Sequence, residues 1–227
     1  AGMIAVLLLL ATAALTIPAL ATAPGAPDFG HPVDLSVVVS VVLLVVFVAS
    51  IPFSIGGGQG ASSGGLELES VWPLPLAIGL LAVAGAGAAL VSDWFVASLE
   101  PSMAALGLSQ AFVGLVVVAI AGNAVENVVG VQMAWRNKPD LAISLILNSS
   151  LQVALALTPA LVLLSLVVGA TPLTLVVPPL FIGALAMSSL LGALITADGK
   201  SSWLEGLALV GLYVIIAAST WWGPVGG

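Results

Sequence analysis

Long runs of apolar residues alternate along this chain with short stretches of polar, glycine and proline residues. About seven of the runs reach the roughly 20 residues that an α-helix needs to cross a bilayer. The pattern therefore predicts an all-α membrane protein with about seven transmembrane helices. The predicted spans are 3–22, 33–55, 74–97, 109–135, 141–168, 173–197 and 203–222.

One stretch between these spans has the composition of a linker. Residues 56–73 are rich in glycine and serine and carry Glu67 and Glu69. Such sequences behave as flexible, solvated connectors. The linker separates a first part, 1–55, which holds two predicted spans, from a second part, 74–227, which holds the other five.

Aromatic and basic residues agree with these boundaries. Tryptophan concentrates at membrane interfaces, and all six tryptophans of the chain fall near predicted span ends. The basic residues Arg136, Lys138 and Lys200 follow the fourth and sixth spans, so with seven spans their loops lie on one side of the membrane. The positive-inside rule predicts that this side, and with it the acidic linker, is cytoplasmic.

Composition narrows the classes of function. The 227 residues are 61% hydrophobic and 6% charged, whereas a soluble domain carries about 25% charged residues. There is no cysteine and one histidine, His31, which leaves no basis for a disulfide framework, a zinc site or a Ser-His-Asp triad. A net charge of −7 with three basic residues argues against nucleic acid binding. We therefore predict neither an enzyme nor a resident cofactor.

A single carboxylate interrupts the fourth predicted span. Glu126 lies with Asn123 and Asn127 in a run, 111–134, that is otherwise almost wholly apolar. Such a group inside the bilayer costs several kcal/mol and by default marks an ion pathway or a proton relay. At about 100° per residue, these three side chains share one arc of the helix with Gly130. The alternative is a structural carboxylate, with the amides forming hydrogen bonds between helices.

A second polar group lies in the fifth predicted span, after the short basic turn WRNKPD. Asn148, Ser149 and Gln152 fall on one arc of that span, with Ser150 on the far side. Two antiparallel helices thus offer a carboxylate, amides and hydroxyls, which are oxygen ligands suited to Ca²⁺, Na⁺ or a proton. Hydrogen bonding between helices is again the alternative for Ser149 and Gln152.

Three ordered motifs resemble those of the cation/proton exchangers, the CAX-type Ca²⁺/H⁺ antiporters of the calcium/cation antiporter superfamily. The first is GNAVENVVGVQMAWRNKPDLAISLILNSSLQVALALTP, which contains Glu126 and the basic turn. The second is DGKSSWLEG at 198–206, and the third is LVSDWFVASLEPSMAALGLSQAFVGLVV at 90–117. The resemblance covers about 74–222, most of the chain.

The resemblance implies secondary active transport, in which Ca²⁺ or another cation is exchanged for protons across a membrane. Glu126 would bind the transported Ca²⁺ when ionised and a proton otherwise. Two positions depart from the family pattern, because Asn127 stands where histidine is usual and Asn148 where glycine is usual. These departures leave Na⁺/H⁺ antiport as an alternative. A second alternative is a non-transporting membrane subunit, a half-protein whose polar face only packs against another helix. The implied cation and proton site comprises Glu126, Asn123, Asn127, Gln152, Ser149 and Asn148.

Members of this family are built from two inverted five-helix repeats, each with one GNxxE glutamate. The chain contains one such motif. By resemblance, 74–227 is one complete five-helix repeat and 1–55 is the end of another. We expect the missing N-terminal repeat to belong to the same longer chain or to a partner chain, with the fragment the favoured interpretation.

The stretch before the last predicted span reads as a structural motif. Asp198 and Gly199 form a turn, while Ser202 and Glu205 have the spacing of a capping box that opens a helix. The protein is expected to be a multi-pass integral membrane protein, in the plasma membrane of a prokaryote or in a vacuolar-type membrane of a eukaryote.

Overall fold

The computed structural model describes residues 2–56, 73–169, 171–197 and 202–222. Within these ranges the secondary structure is helical and no residue is in a strand. Most of the predicted linker, the turn residues Asp198 and Gly199, and Lys200 lie outside the described residues.

All seven apolar runs form helices. The fourth run forms two helices because its helix is interrupted at Asn123. The helices are α1 (Gly2–Ala21), α2 (Pro32–Gly56), α3 (Leu74–Leu106), α4 (Gln110–Gly122), α5 (Ala124–Trp135), α6 (Pro139–Val168), α7 (Pro179–Ala197) and α8 (Trp203–Trp221).

Most of these helices have the length and hydropathy of membrane spans. In the described part of the chain, five helices are long and apolar enough to cross a bilayer by themselves: α2, α3, α6, α7 and α8. A sixth crossing results if α4 and α5 are counted as one broken span. In α1, the apolar helix over Val6–Ala21 is shorter. The all-α membrane architecture predicted from the hydrophobic pattern is thus confirmed.

The prediction that the third span ends at residue 97 is wrong, because α3 continues to Leu106 and has 33 residues. The polar residues Asp93 and Glu100 lie inside it, since a helix continues past polar residues until a backbone signal stops it. That signal is Gly107, whose φ of 65° is left-handed. The amide of Leu108 then bonds to the Met103 carbonyl at 3.1 Å, as at many glycine-terminated helices.

The sixth span was predicted over 173–197, with its start near the Pro178–Pro179 pair, and α7 begins at Pro179 itself. Proline disfavours helical geometry in the residue before it, so Pro178 and Pro179 allow a helix to start but not to extend backward. The preceding segment is non-helical and is held by two serines. The Leu175 amide donates to Ser36 Oγ at 2.9 Å, and the Leu173 amide donates to Ser165 Oγ at 2.8 Å.

The chain divides into two compact units. The first consists of Ala1–Gly56 and Asn123–Ile216, and its described core is a cluster of Ala11, Leu43, Leu151 and Leu155 from α1, α2 and α6. Helices α1 and α7 are joined by a buried hydrogen bond of 2.6 Å from Thr12 to Ser189. Small residues and hydroxyl groups suit such contacts because they let helices approach closely in a bilayer.

The second unit consists of Gly57–Gly122 and Ala217–Gly227. Helix α3 has no buried residue. Ser109 caps α4 by accepting the Phe112 amide at 3.0 Å, and its hydroxyl donates to the Thr220 carbonyl. The rings of Phe112 and Trp221 pack edge to face with centroids 4.6 Å apart, which ties the start of α4 to the end of α8 within this unit.

Candidate functional site

The helix break at Asn123 shapes the surroundings of the predicted carboxylate. Asn123 has φ −109° and ψ 22°, outside helical geometry, and α5 begins at the next residue. The amide of Asn127 donates to the Asn123 carbonyl at 3.0 Å, so the new helix starts from Asn123. Because Gly122 disfavours a helix interior and asparagine favours its start, the uninterrupted span predicted over 109–135 is wrong at this point.

Glu126 therefore lies in the first turn of α5 rather than in the middle of a helix. The first amides of a helix lack partners inside the helix, and the helix dipole is positive at this end. Both features stabilise a negative side chain. The Glu126 residue is half-buried, as is Asn123, whereas Asn127 is exposed.

A tight turn joins α5 to α6. Asn137 is the one non-glycine residue of positive φ, 56°, in the described part of the chain. Its amide bonds to the Ala134 carbonyl at 3.0 Å, and the Lys138 amide bonds to the Met133 carbonyl at 2.9 Å. This is the Schellman arrangement, with asparagine in its left-handed position. Pro139 then starts α6, so that the basic turn folds the two helices into an antiparallel hairpin.

The contact between the hairpin helices shows which face of α5 meets α6. Gly130 is buried, and a Cβ atom placed on it would lie 3.2 Å from Ile146 Cδ1. Glu126 is one turn before Gly130, and its side chain lies within about 40° of the same direction. Glu126 and Asn127 are therefore on the side of α5 that faces α6, and Asn123 directly precedes this helix.

The antiparallel pairing also sets the level of the α6 residues. Because Gly130 meets Ile146, a position four residues before Gly130 is level with one four residues after Ile146. Glu126 is thus level with Ser149 and Ser150. The half-buried Ser149 lies about 60° from the direction of Ile146. Ser150 lies about 40° from it, and its hydroxyl donates to the Ile146 carbonyl at 3.0 Å.

The remaining predicted ligands of α6 have a different direction. Asn148 and Gln152 are both exposed and project more than about 100° from the direction of Ile146. The hairpin thus brings Glu126 close in level to Ser149, and leaves Asn148 and Gln152 on another side of α6. Within the described residues, no three histidine, aspartate or glutamate side chains cluster as a metal site.

Two wide helical turns precede and follow these positions along the sequence, and hydropathy does not reveal them. Residues Val113–Val118 of α4 and Val153–Leu157 of α6 form π-type turns, which are rare and often found near functional sites. The second turn begins directly after Gln152. Pro159 accounts for this turn in α6, because proline has no amide hydrogen to donate to the Leu155 carbonyl four residues earlier. The pair Thr158–Pro159 was the available sequence signal.

The structural motif before the last helix is present in its described half. The Ser202 amide donates to a Glu205 carboxylate oxygen at 2.7 Å, and the Glu205 amide donates to Ser202 Oγ at 3.3 Å. These are the two reciprocal bonds of a capping box. Glu205 thus serves the start of α8.

Comparisons with known proteins agree on one family. The family profile described as sodium/calcium exchanger protein matches residues 76–222. A Ca(2+)/H(+) antiporter of Synechocystis sp. is 34% identical over 210 residues, covering 84% of this chain and 56% of the relative. A vacuolar calcium ion transporter of Schizosaccharomyces pombe is 31% identical over 190 residues, covering 82% of this chain and 46% of the relative. The chain therefore spans about half the length of these relatives.

A solved structure has the same arrangement of helices. The structure of native YfkE matches with a TM-score of 0.77 at 29% identity, covering 96% of this chain and 62% of that one. This likeness extends beyond the profile match, to nearly the whole chain. Together with the apolar helices, it identifies the chain as a multi-pass membrane protein.

Proposed function

The chain belongs to the sodium/calcium exchanger protein family, and from this premise we propose that it forms part of a secondary active transporter. The transporter exchanges Ca²⁺, or another cation, for protons across a membrane. The relatives are named as antiporters and calcium transporters, which supports transport rather than enzymatic catalysis. Cation and protons are substrates in this proposal, and no cofactor takes part.

The observation that carries the proposal is the position of Glu126. It is a half-buried carboxylate in the first turn of a helix that restarts inside an apolar span. Interrupted helices in secondary transporters place ion-binding groups near the middle of the membrane. Glu126 binds either a cation or a proton, and loading one expels the other, because each neutralises the same charge.

Neutral oxygen atoms complete the coordination in this proposal. Asn123, at the residue before α5, contributes an amide, and Ser149, close in level to Glu126, contributes a hydroxyl from α6. Asn127 supplies a further amide oxygen from the same arc of α5 as Glu126. Asn148 and Gln152 lie on another side of α6 and are exposed, so in this proposal they meet the cation from the side of the missing repeat and not from the contact between α5 and α6. Such groups replace the hydration shell of Ca²⁺, which takes 6–8 oxygen ligands, without adding charge.

A second five-helix repeat completes the transporter. The chain holds one GNxxE motif, and one carboxylate balances only half the charge of Ca²⁺. The complementary repeat, in the same longer polypeptide or in a partner chain, supplies the second carboxylate. Alternating access then results from one repeat moving against the other around the site.

The substitution Glu126→Gln in the complete transporter tests this proposal. Glutamine keeps the size and hydrogen bonding of glutamate but neither carries the charge nor exchanges a proton. An ionised carboxylate about 4 Å from a charge gains roughly 4 kcal/mol per unit charge near a protein surface, which the amide does not replace. We expect exchange to fall below detection while the amount of protein in the membrane is unchanged.

The measurement is ⁴⁵Ca²⁺ uptake into membrane vesicles with an imposed pH gradient, repeated with competing Na⁺ and K⁺ to define the cation. Glu100→Gln is the matched control, because Glu100 is an exposed glutamate on α3 and its loss should leave uptake near the parent level. Uptake by Glu126→Gln at the parent rate would show that the glutamate is structural.

A further inference from the structure

In the described part of the chain, the hydroxyl oxygen of Ser40 on α2 is the one buried side-chain oxygen or nitrogen without a hydrogen-bond partner. The residue is 0% exposed. Ser36, one turn earlier and equally buried, donates to the Pro32 carbonyl at 2.6 Å and accepts the Leu175 amide. Buried hydroxyl groups are nearly always paired, and an unpaired one is destabilising. The surroundings of Ser40 therefore require an account.

The pairing of α2 with α6 places Ser40 close to Pro159. Ser36 and Ser165 bond to amides only two residues apart on the same non-helical segment, so they lie at one end of the helix pair. Leu43 and Leu155 meet further along, in the shared core cluster. The two helices are thus antiparallel, and Ser40 is near the level of Pro159, which is also fully buried.

Pro159 leaves backbone oxygens of α6 without their usual donors. In the wide turn, the Thr158 amide donates to the Val153 carbonyl. The Thr158 amide therefore does not donate to the Ala154 carbonyl, and Pro159 has no amide hydrogen that could donate in its place. The Leu155 carbonyl loses its donor four residues ahead for the same reason. Ala154 and Leu155 both belong to, or pack against, the core cluster that includes α2.

Helix α1 also has a backbone carbonyl without its usual donor near the level of Ser40. Pro18 lies inside α1 and is fully buried, so the Ala14 carbonyl loses its donor. Ala11 and Leu43 belong to one cluster, and Ala14 packs against it. Because α1 and α2 run antiparallel and Ala11 and Leu43 share this cluster, Ala14, three residues after Ala11, is near the level of Ser40, three residues before Leu43.

We propose that Ser40, the carbonyl oxygen of Ala14 and one of the carbonyl oxygens of Ala154 and Leu155 bind a water molecule between α1, α2 and α6. A water donates two hydrogens to carbonyls and accepts one from Ser40, and about three hydrogen bonds are typical of a buried water. A metal cation is disfavoured because none of these residues carries a negative charge to offset its burial. The water links three helices of one unit, independently of the transport site.

Replacement of Ser40 by alanine distinguishes this water from an unpaired hydroxyl by the sign of its effect. If the hydroxyl has no partner, its removal ends the free-energy cost of burying an unpaired polar group, and the thermal unfolding midpoint rises. Removal of a water ligand leaves the carbonyls poorly satisfied and lowers it. We expect Ser40→Ala to lower the midpoint by several degrees in the full-length protein purified in detergent. Ser98→Ala, at an exposed serine of α3, should change it by less than one degree.

A double substitution isolates the role of the carbonyl oxygens. Pro159→Ala returns an amide hydrogen to α6, so Ser40→Ala should then lower the midpoint by at most half as much as in the parent. An equal loss in both backgrounds, or an unchanged or raised midpoint for Ser40→Ala alone, would overturn the proposal.

If Ser40→Ala does not accumulate, Ser40→Cys, which is close to serine in shape, serves the same comparison. An experimental structure that resolves waters should show density within hydrogen-bond distance of Ser40 Oγ, and its absence there would also refute the site.

Discussion

At the scale of single residues, Glu126 stands out in the sequence because a carboxylate in an apolar run is chemically unusual. Helical spacing predicts that it shares an arc with Asn127, and its role in transport stays a proposal. The place of Glu126 in the first turn of a new helix was not predictable, because hydropathy is continuous across 111–134 while the break depends on the backbone of Asn123. The break places the positive end of a helix dipole beside the carboxylate of Glu126. The position of the break therefore bears directly on the proposed binding of a cation or a proton there.

The exposed Asn127 allows a test of proton coupling at the same arc. In the complete transporter, Asn127→His introduces a group that is about three quarters protonated near pH 6 and only a few per cent protonated near pH 8. A positive imidazole one residue from Glu126 repels a cation. We expect ⁴⁵Ca²⁺ uptake at pH 6 to fall several-fold relative to pH 8, compared with the same ratio in the parent.

The control for this substitution is Asn127→Gln, which lengthens the side chain without adding a titrating group. Its uptake should have the pH dependence of the parent. An unchanged pH profile for Asn127→His, with normal amounts of protein, would place residue 127 outside the range at which it influences the cation.

At the scale of helices, the apolar pattern located the spans well because bilayer thickness imposes a common length. The ends were less predictable where a backbone signal decides them, as at Gly107 after α3 and Pro179 at the start of α7. The π-type turns were not predicted, since each changes a few hydrogen bonds and leaves hydropathy unaltered. The α5–α6 hairpin was expected from its basic turn, but its left-handed Asn137 is a property of the folded backbone.

Close packing of this hairpin predicts a size limit at Gly130. Alanine at that position places Cβ 3.2 Å from the mobile end of Ile146, and the gain in helix propensity of about 0.5–1 kcal/mol offsets the small shift required. Valine adds two methyl groups to the same contact. We expect Gly130→Val to reduce stability by about 1–3 kcal/mol and to impair uptake, because it moves α5 relative to α6.

The thermal unfolding midpoint in detergent measures this effect through tryptophan fluorescence. Ile146→Ala removes the opposing methyl groups, so it should restore much of the stability when combined with Gly130→Val. Gly206→Val is the control, because nothing lies within 4 Å of a Cβ at Gly206. Equal losses for both valine variants would mean that the contact with Ile146 does not decide the result.

At the scale of the whole molecule, the membrane class and the family-like order of helices were predictable from hydropathy and three motifs. The two compact units were not, because the chain passes from one unit to the other not only at the start of the Gly/Ser-rich linker but also at Asn123 and after Ile216, inside two predicted spans. The cytoplasmic assignment of the basic turn stays a prediction from Arg136 and Lys138. The chain has no cysteine, so a single cysteine introduced at position 137 can be tested with a membrane-impermeant thiol label. We expect no labelling from outside the cell, and labelling from outside would reverse the assignment.

The last prediction concerns the 227-residue chain by itself. One carboxylate near Ca²⁺ leaves a net positive charge, and Asn127, Asn148 and Gln152 are exposed in this chain, so a cation bound here would have few protein ligands on one side. We expect purified chain in liposomes to exchange no Ca²⁺ for protons, and exchange to return when it is joined to, or co-expressed with, a repeat that carries a second GNxxE motif. The same complementary repeat with its glutamate changed to glutamine is the control, and it should restore assembly without transport. Exchange by the monomeric chain at rates comparable to the combined protein would show that one repeat suffices, and the need for a second carboxylate would have to be abandoned.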